Sequence, residues 1–378
     1  MGTEYYSFED FAKKARASLP RFVYDFMEGG SGNERATQEN TNAFSEIQLV
    51  PRIPDCSNQV SLKTEILGTD YSYPFGISPI GLPGLVHPKA EVIFAKMANK
   101  YDVPYVFSSV SNESLDKVTQ LSQRAPWFQL YIPKSNSVLS NLLETAENNR
   151  CPVLVITVDT LKPGRRIRDL KNGLKLPFRL SFKNILDIAS HPTWAARRLL
   201  SGPITFPNMK DILQDNPSIS FHEMMALQTG GDINWDTIRY IRKYWKNKIL
   251  LKGVLSATDA VKATEYGIDG IVLSNHGGRQ LNYAPAPFSL IDQFRSGGVE
   301  KEQLMVDSGI RNGEDIIACL AQGSSFTFLG RLFLFALGAN GEQGVDRAFQ
   351  ILTEELNIAT ALMGVSSTAD LQAHHVKK

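Results

Sequence analysis

Short runs of continuously apolar residues recur along most of the chain, separated by longer stretches in which apolar positions return every three or four residues. The runs lie at Pro74 to Ile80, Pro104 to Ser108, Trp127 to Ile132, Val153 to Asp159, Ile249 to Lys252, Gly270 to Ser274, Leu304 to Asp307 and Phe326 to Gly330. Runs that are apolar throughout, and not alternating, suit strands covered on both faces. Helical stretches fall between them, at Pro88 to Lys100, Ser135 to Asn148, Ala257 to Tyr266 and Gly313 to Ala321, with Thr258 and Asn312 as candidate N-caps. Eight βα repeats predict an α/β fold whose parallel sheet closes into a (β/α)8 TIM barrel; an open doubly wound sheet is the alternative the pattern leaves.

Two regions fall outside the repeat. Residues 1–60 open with helical patterns at Phe8 to Ala17 and Arg21 to Glu28, then Gly29-Gly30-Ser31-Gly32 and a polar helical stretch toward Phe44. They read as an N-terminal helical cap on a barrel formed by residues 61–378. The span from Thr160 to about Lys248 is far longer than one crossover needs, so an insertion of about 174–215 is expected after the fourth strand. Between Leu176 and Ile212 it mixes Lys183, Arg197, Arg198 and Lys210 with Phe182, Trp194, Phe206 and Met209. A lid, a subunit contact, a peripheral membrane patch and a partly ordered excursion all fit that composition.

Composition narrows the classes. The 378 residues carry a formal net charge of +1, which gives no general attraction to nucleic acid. The basic stretch Lys162 to Lys171, with Arg165, Arg166 and Arg168, reads as a solvated loop that turns one arginine into a site. Cys56, Cys151 and Cys319 have no paired spacing, which points to a reducing, cytoplasmic setting. Glu4, Glu9 and Asp10 interrupt the start before any signal-peptide core, and the nearest approach to a membrane span, Phe326 to Ala339, is cut by Arg331.

The chemistry gathers at the strand ends. Gln129 and Tyr131 close the third run, Thr157 and Asp159 the fourth, and Lys252 the fifth. Ser274 and His276 follow the sixth, Asp307, Gly309 and Arg311 the seventh, and Gly330 and Arg331 the eighth. In a barrel these positions share one rim, where such enzymes build their sites. Gly309, Arg311, Gly330 and Arg331 suit a phosphate after the last two strands. His276 suits proton transfer with Asp159 as its orienting carboxylate, and Arg279 suits a substrate carboxylate. No metal-ligand spacing, dinucleotide fingerprint or phosphate loop is present, so no metal site is expected.

These residues resemble the FMN-dependent 2-hydroxy acid oxidase and dehydrogenase family, which includes glycolate oxidase, lactate oxidase, and the L-lactate and mandelate dehydrogenases. The resemblance runs from Phe22-Val-Tyr24-Asp25 to Gly338. It rests on Ser274 to Leu281, Trp127-Phe-Gln-Leu-Tyr131, Thr157-Val-Asp-Thr160 with Gly164-Arg-Arg166, Lys252-Gly253, Gly309-Ile-Arg311 and Gly330-Arg331. It implies FMN as cofactor and oxidation of an L-2-hydroxy acid to the 2-oxo acid. Lys252 would lie by the N1 and O2 edge of the flavin. Ser108, Gln129, Thr157 and the Pro79-Ile80-Gly81 backbone would bind the ring. Ser274, Asp307, Gly309, Arg311, Gly330 and Arg331 would hold the ribityl chain and phosphate. Tyr24, Arg166 and Arg279 would face the substrate, Tyr131 its hydroxyl oxygen, and His276 backed by Asp159 would accept the proton.

The long insertion is more similar to the membrane-associated lactate and mandelate dehydrogenases, which implies quinone in place of O2 as electron acceptor and contact with the inner membrane face. The resemblance further implies a homotetramer. An oxygen-using oxidase that makes peroxide, a specialised biosynthetic flavoenzyme and a non-catalytic flavin-binding module are the alternatives. They are prompted by departures from the family pattern at Asn282, at Ser78-Pro79-Ile80 and at Ser308. Asn282 in particular is expected to remove a charge beside His276 and Arg279 and so weaken the base.

Overall fold

The computed structural model describes residues 5–53, 60–173, 181–209 and 231–377. Eight parallel strands form the centre: β1 (Phe75–Ile77), β2 (Val106–Ser108), β3 (Trp127–Tyr131), β4 (Val153–Thr157), β5 (Lys248–Val254), β6 (Gly270–Leu273), β7 (Leu304–Val306) and β8 (Phe326–Leu329). Hydrogen bonding runs in sequence from β2 to β8 and then to β1. The last gap is bridged where the Ile77 N–H donates to the Pro104 carbonyl at 2.9 Å, beside the Ile77 and Tyr105 bridge. The sheet is therefore the TIM barrel that the apolar runs predicted, and the open-sheet alternative is set aside.

Every residue of β1 to β4 is buried, as strands with two covered faces must be. The barrel interior is filled by one apolar cluster that includes Val106, Trp127, Val155, Leu250, Val272, Met305, Phe326 and Phe328. A hairpin of Thr64–Ile66 and Thr69–Tyr71 plugs the end away from the site, where the Trp127 indole donates to the Tyr71 hydroxyl at 3.3 Å. The larger cluster lies between strands and outer helices.

The helix after β7, Gly313–Gln322, starts at Asn312 in a full capping box with Asp315, as expected. The helix Ala257–Glu265 starts where predicted, but Ser256, two residues before the candidate Thr258, caps it by accepting from the Asp259 N–H. Phe326 to Ala339 divides into β8 and the start of the long helix Arg331–Leu362, which is broken at Asn340 and Gly341. Among the described residues no helix is long and apolar enough to cross a membrane.

Three helices precede the barrel: α1 (Phe8–Ser18), α2 (Arg21–Glu28) and α3 (Arg35–Ser45). α1 packs on the long C-terminal helix, and α3 lies against the turn that follows β6. That contact is pinned by a buried reciprocal pair in which Asn40 and Asn275 each donate to the other's carbonyl oxygen, at 2.8 and 2.6 Å.

After β4 the chain forms short helices at Ile167–Lys171, Phe182–Ala189 and Pro192–Leu200. Leu176, Lys210 and Ile212 lie outside the described residues. Trp194, Phe206 and Met209 are not surface groups as their composition suggested. Trp194 meets Phe22 edge-on at 5.8 Å and donates to the Leu85 carbonyl at 3.0 Å, so burial satisfies both its ring and its N–H.

Candidate active site

The parallel register sets Tyr131 beside Thr157 and Thr157 beside Lys252, which brings three polar side chains to one level at the top of the apolar interior. Below them runs a buried chain in which Ser108 donates to Gln129 at 2.8 Å and Gln129 donates to Thr157 at 2.9 Å. Lys252 is 5% exposed. Its ammonium contacts Asp307 at 2.9 Å and donates to Ser274 at 2.9 Å. A buried ammonium is tolerable only with such partners.

His276 sits in a tight turn in which it and the next two residues all have positive φ, of 59°, 64° and 76°. For a histidine this conformation is uncommon and carries strain, which the turn offsets with bonds from His276 N–H to Ser274 and from Gly277 N–H to Ser308, both 3.0 Å. The turn aims the imidazole Nδ1 at Asp159 Oδ1, 3.1 Å away. Asp159 reaches that position because residue 253 is a glycine with φ of 98°; a Cβ there would stand 2.5 Å from the Asp159 carboxyl carbon. Tyr131 stacks beside the imidazole with ring centroids 6.4 Å apart. Burial, then the Asp159 charge, pushes its phenol well above the ordinary value, so its hydroxyl stays a donor.

Three half-buried guanidinium groups face this corner without a carboxylate on them. Arg279 donates to the carbonyl oxygens of Phe26 and Gly29, at 2.7 and 2.8 Å, and lies over the Phe26 ring. Arg331 donates to Met27, Gly277 and Gly29, and Arg311 to its neighbour Ile310. Burial foremost lowers all three from the usual guanidinium value, and Arg166 adds like-charge repulsion at Arg279. An arriving anion relieves that desolvation. Arg166 is already engaged with Asp169 at 3.4 Å.

A cavity of about 440 Å³ joins these groups. Of the residues predicted from sequence, Pro79, Ile80, Gly81, Tyr131, Thr157, Arg166, Lys252, His276, Arg279, Asp307, Gly309, Arg311, Gly330 and Arg331 line it. Ser108, Gln129, Ser274 and Asp159 stand behind that wall as hydrogen-bond partners.

Tyr24 is the exception. It is not a wall residue: its hydroxyl donates to Glu28 at 3.0 Å and its ring packs on Phe335. Phe26 and Met27 line the cavity in its place. Two residues along a helix turn roughly 200°, so Tyr24 and Phe26 face opposite ways. Asn282 is likewise displaced from its expected role. It lies outside the cavity wall, where it donates to Asn33 at 2.7 Å and accepts from the Arg35 N–H at 3.1 Å, fastening the start of α3.

Two contributors were not anticipated. Arg168 ties Ile167–Lys171 to Asp25, Glu28 and Glu34, closing the cavity on the α2 side. Gln280 accepts from the Gly164 N–H and donates to the Asp159 carbonyl at 2.6 Å, locking the β4 loop to the His276 turn. The presence of several carboxylates on α2 and α3 opposite a basic loop was the available signal for the first.

The donor set fits FMN. Half-buried guanidiniums without a carboxylate partner, with glycine backbone beside them, suit a phosphate, an apolar shelf of Pro79, Ile80, Leu82 and Val110 suits a planar ring, and Lys252 adds a cation at the cavity wall.

This is the site of a barrel oxidoreductase built for an anionic cofactor and a carboxylate substrate. The chain belongs to the FMN-dependent dehydrogenase family, which it matches over residues 15–378. It is 34% identical to (S)-mandelate dehydrogenase of Pseudomonas putida, covering 100% of this chain and 95% of that one. It is 33% identical to L-lactate dehydrogenase of Vibrio parahaemolyticus, covering 98% of each. The crystal structure of the monotopic membrane protein (S)-mandelate dehydrogenase superposes with a TM-score of 0.93 at 34% identity, over 99% of this chain and 100% of that one. Mandelate oxidase superposes with a TM-score of 0.81 at 30% identity, over 99% of this chain and 98% of the other. The protein is an FMN-dependent 2-hydroxy acid oxidoreductase.

Proposed function

We propose that this enzyme oxidises an L-2-hydroxy acid of the lactate or mandelate type and passes the electrons to a membrane quinone. The observation that carries the reading is Arg279, a half-buried guanidinium bonded only to backbone carbonyls, facing the cavity that His276 and Tyr131 also line. A substrate carboxylate supplies the missing counter-charge, with Arg166 as a second clamp. Tyr131 donates to the hydroxyl oxygen, and His276 Nε2 takes its proton while Asp159 holds Nδ1 and stabilises the imidazolium. FMN, when bound, supplies the two-electron acceptor, with Lys252 offsetting the charge it gains. Arg311, Arg331, Gly309 and Gly330 hold its phosphate, Ser274 and Asp307 its ribityl chain, and Gln129, Thr157, Ser108 and the backbone of Pro79, Ile80 and Gly81 its ring. Phe26 and Leu170, apolar groups of the cavity wall outside the ring shelf, meet a methyl or phenyl side chain.

Membrane contact is carried by a different observation. Phe182, Ile185 and Leu186 occupy one face of Phe182–Ala189, and Leu199 and Leu200 end the next helix; all five are exposed, with Lys183 and Arg197 exposed beside them. Apolar side chains flanked by cations suit an anionic lipid surface. Assembly as a homotetramer of barrels completes the reading. Purified enzyme is expected to form the 2-oxo acid from L-lactate or (S)-mandelate, to reduce a quinone analogue faster than it makes peroxide in air, and to sediment with anionic vesicles. Rapid stoichiometric peroxide would overturn the acceptor assignment, and failure to sediment the membrane contact. The oxidase alternative predicts those opposite results, and the non-catalytic module predicts no 2-oxo acid from any 2-hydroxy acid.

A further inference from the structure

Asp307 receives more hydrogen bonds than the ion pair with Lys252 requires. Its Oδ2 meets the Lys252 ammonium at 2.9 Å and accepts from the Ser78 hydroxyl at 3.1 Å, while its Oδ1 accepts from Ser308 at 2.9 Å. Burial by itself raises this carboxyl, yet the Lys252 charge and the Ser274 and Ser308 hydroxyls hold it below the ordinary value. An ammonium has three donors, and Lys252 has committed two of them, to Asp307 and Ser274.

Ser78 is the member of this group that the ion pair does not explain. It follows β1, whereas Asp307 follows β7, and β8 lies between those strands in the sheet. Its hydroxyl crosses that gap where β8 ends in Gly330, at which a Cβ would stand 3.6 Å from the Ser78 Cβ. Ser78 is 6% exposed, and a buried hydroxyl is worth its desolvation only when it makes its bond. Alanine would fill the same space without one.

We propose that Ser78 is a positioning residue that raises the reduction potential of the bound flavin, by drawing on the charge of Asp307 and so leaving more of the Lys252 charge for the cofactor. The inference rests on the reading that Lys252 lies against the flavin ring. A hydroxyl dipole pointed at a carboxylate offsets part of its field. Without that dipole, Asp307 presents its full charge beside the flavin, pulls Lys252 closer, and the reduced, anionic cofactor is less stabilised.

The test is the two-electron midpoint potential of the FMN-loaded protein, followed by its absorbance during anaerobic titration against a reference dye. Ser78→Ala is expected to move the reduction equilibrium about tenfold toward the oxidised form, about 30 mV for two electrons, with FMN affinity retained. Ser78→Thr restores the hydroxyl and is expected to return the potential to that of the wild type. A Ser78→Ala potential indistinguishable from wild type overturns the inference, as does weakened FMN binding with no change in potential. Lys252→Met separates the two layers. If it fails to lower the potential, the placement of Lys252 falls; if it lowers the potential and Ser78→Ala does not, only the role of Ser78 falls.

Discussion

Replacing Asp159 by Asn tests the proton-transfer pair with little change in shape. Asp159 Oδ1 lies 3.1 Å from His276 Nδ1, and both side chains are mostly but not fully shielded, at 14% and 22% exposed. At an effective dielectric near 20, opposite unit charges at that separation attract by about 5 kcal/mol. The charge pair exists only once His276 has taken the substrate proton, so its loss falls on the transition state and not on substrate binding. Discounting for partial solvent access leaves about 2 to 4 kcal/mol, or roughly 30- to 1,000-fold in the rate of flavin reduction. Arg279 and Arg166 are untouched, so KM should change little. Stopped-flow absorbance under anaerobic conditions reads the reduction step directly. A loss of less than about threefold, or a loss confined to KM, would refute the assignment of His276 and Asp159 as the proton-accepting pair.

Gly253→Ala should reach the same step from the other side, because its Cβ would stand 2.5 Å from the Asp159 carboxyl carbon at a φ of 98°. It is expected to slow flavin reduction at least about tenfold and to cost about 1 to 2 kcal/mol in denaturant unfolding. Arg279→Gln removes a bidentate clamp whose charge-assisted bonds are worth about 1.5 to 3 kcal/mol each, so kcat/KM should fall by about 10² to 10⁴, with a rise in KM as part of it. Glu91 is fully buried beside Asn112, and burial foremost pushes its carboxyl up to about 7 from 4.5. Below pH 4.5 both states hold the proton; between there and 7 the unfolded chain releases it first, so stability falls with rising pH and stays reduced above 7. Glu91→Gln should remove that slope and stabilise the protein at pH 8 by about 3 kcal/mol, as urea unfolding at several pH values would show.

The barrel was legible because strands covered on both faces leave continuous apolar runs, and its rim because polar residues end those runs in fixed order. Gln129, Thr157, Lys252, His276 and Asp307 were found that way, since β-strand register converts sequence position directly into height in the barrel. Helices do not allow this so simply. Tyr24 and Phe26 share a motif, but only the rotation of α2 against the barrel decides which one faces the cavity, and that rotation depends on Phe335 and Arg168, which are far away in sequence. Asn282 was misplaced for a related reason. It is six residues past His276, and the left-handed turn at His276 to Gly278 carries the chain out of the site toward α3 before it arrives. In the insertion, composition marked the aromatics without saying which would pack. Trp194 turned inward onto Phe22, whereas Phe182 remained exposed.

The most direct test of the account is to mix the FMN-loaded protein, free of oxygen, with L-lactate or (S)-mandelate and follow the flavin absorbance. The account predicts that the oxidised flavin band bleaches with at least one of these acids, with stoichiometric 2-oxo acid, and that their mirror-image forms leave it unchanged. A flavin that stays oxidised with every 2-hydroxy acid offered would contradict it.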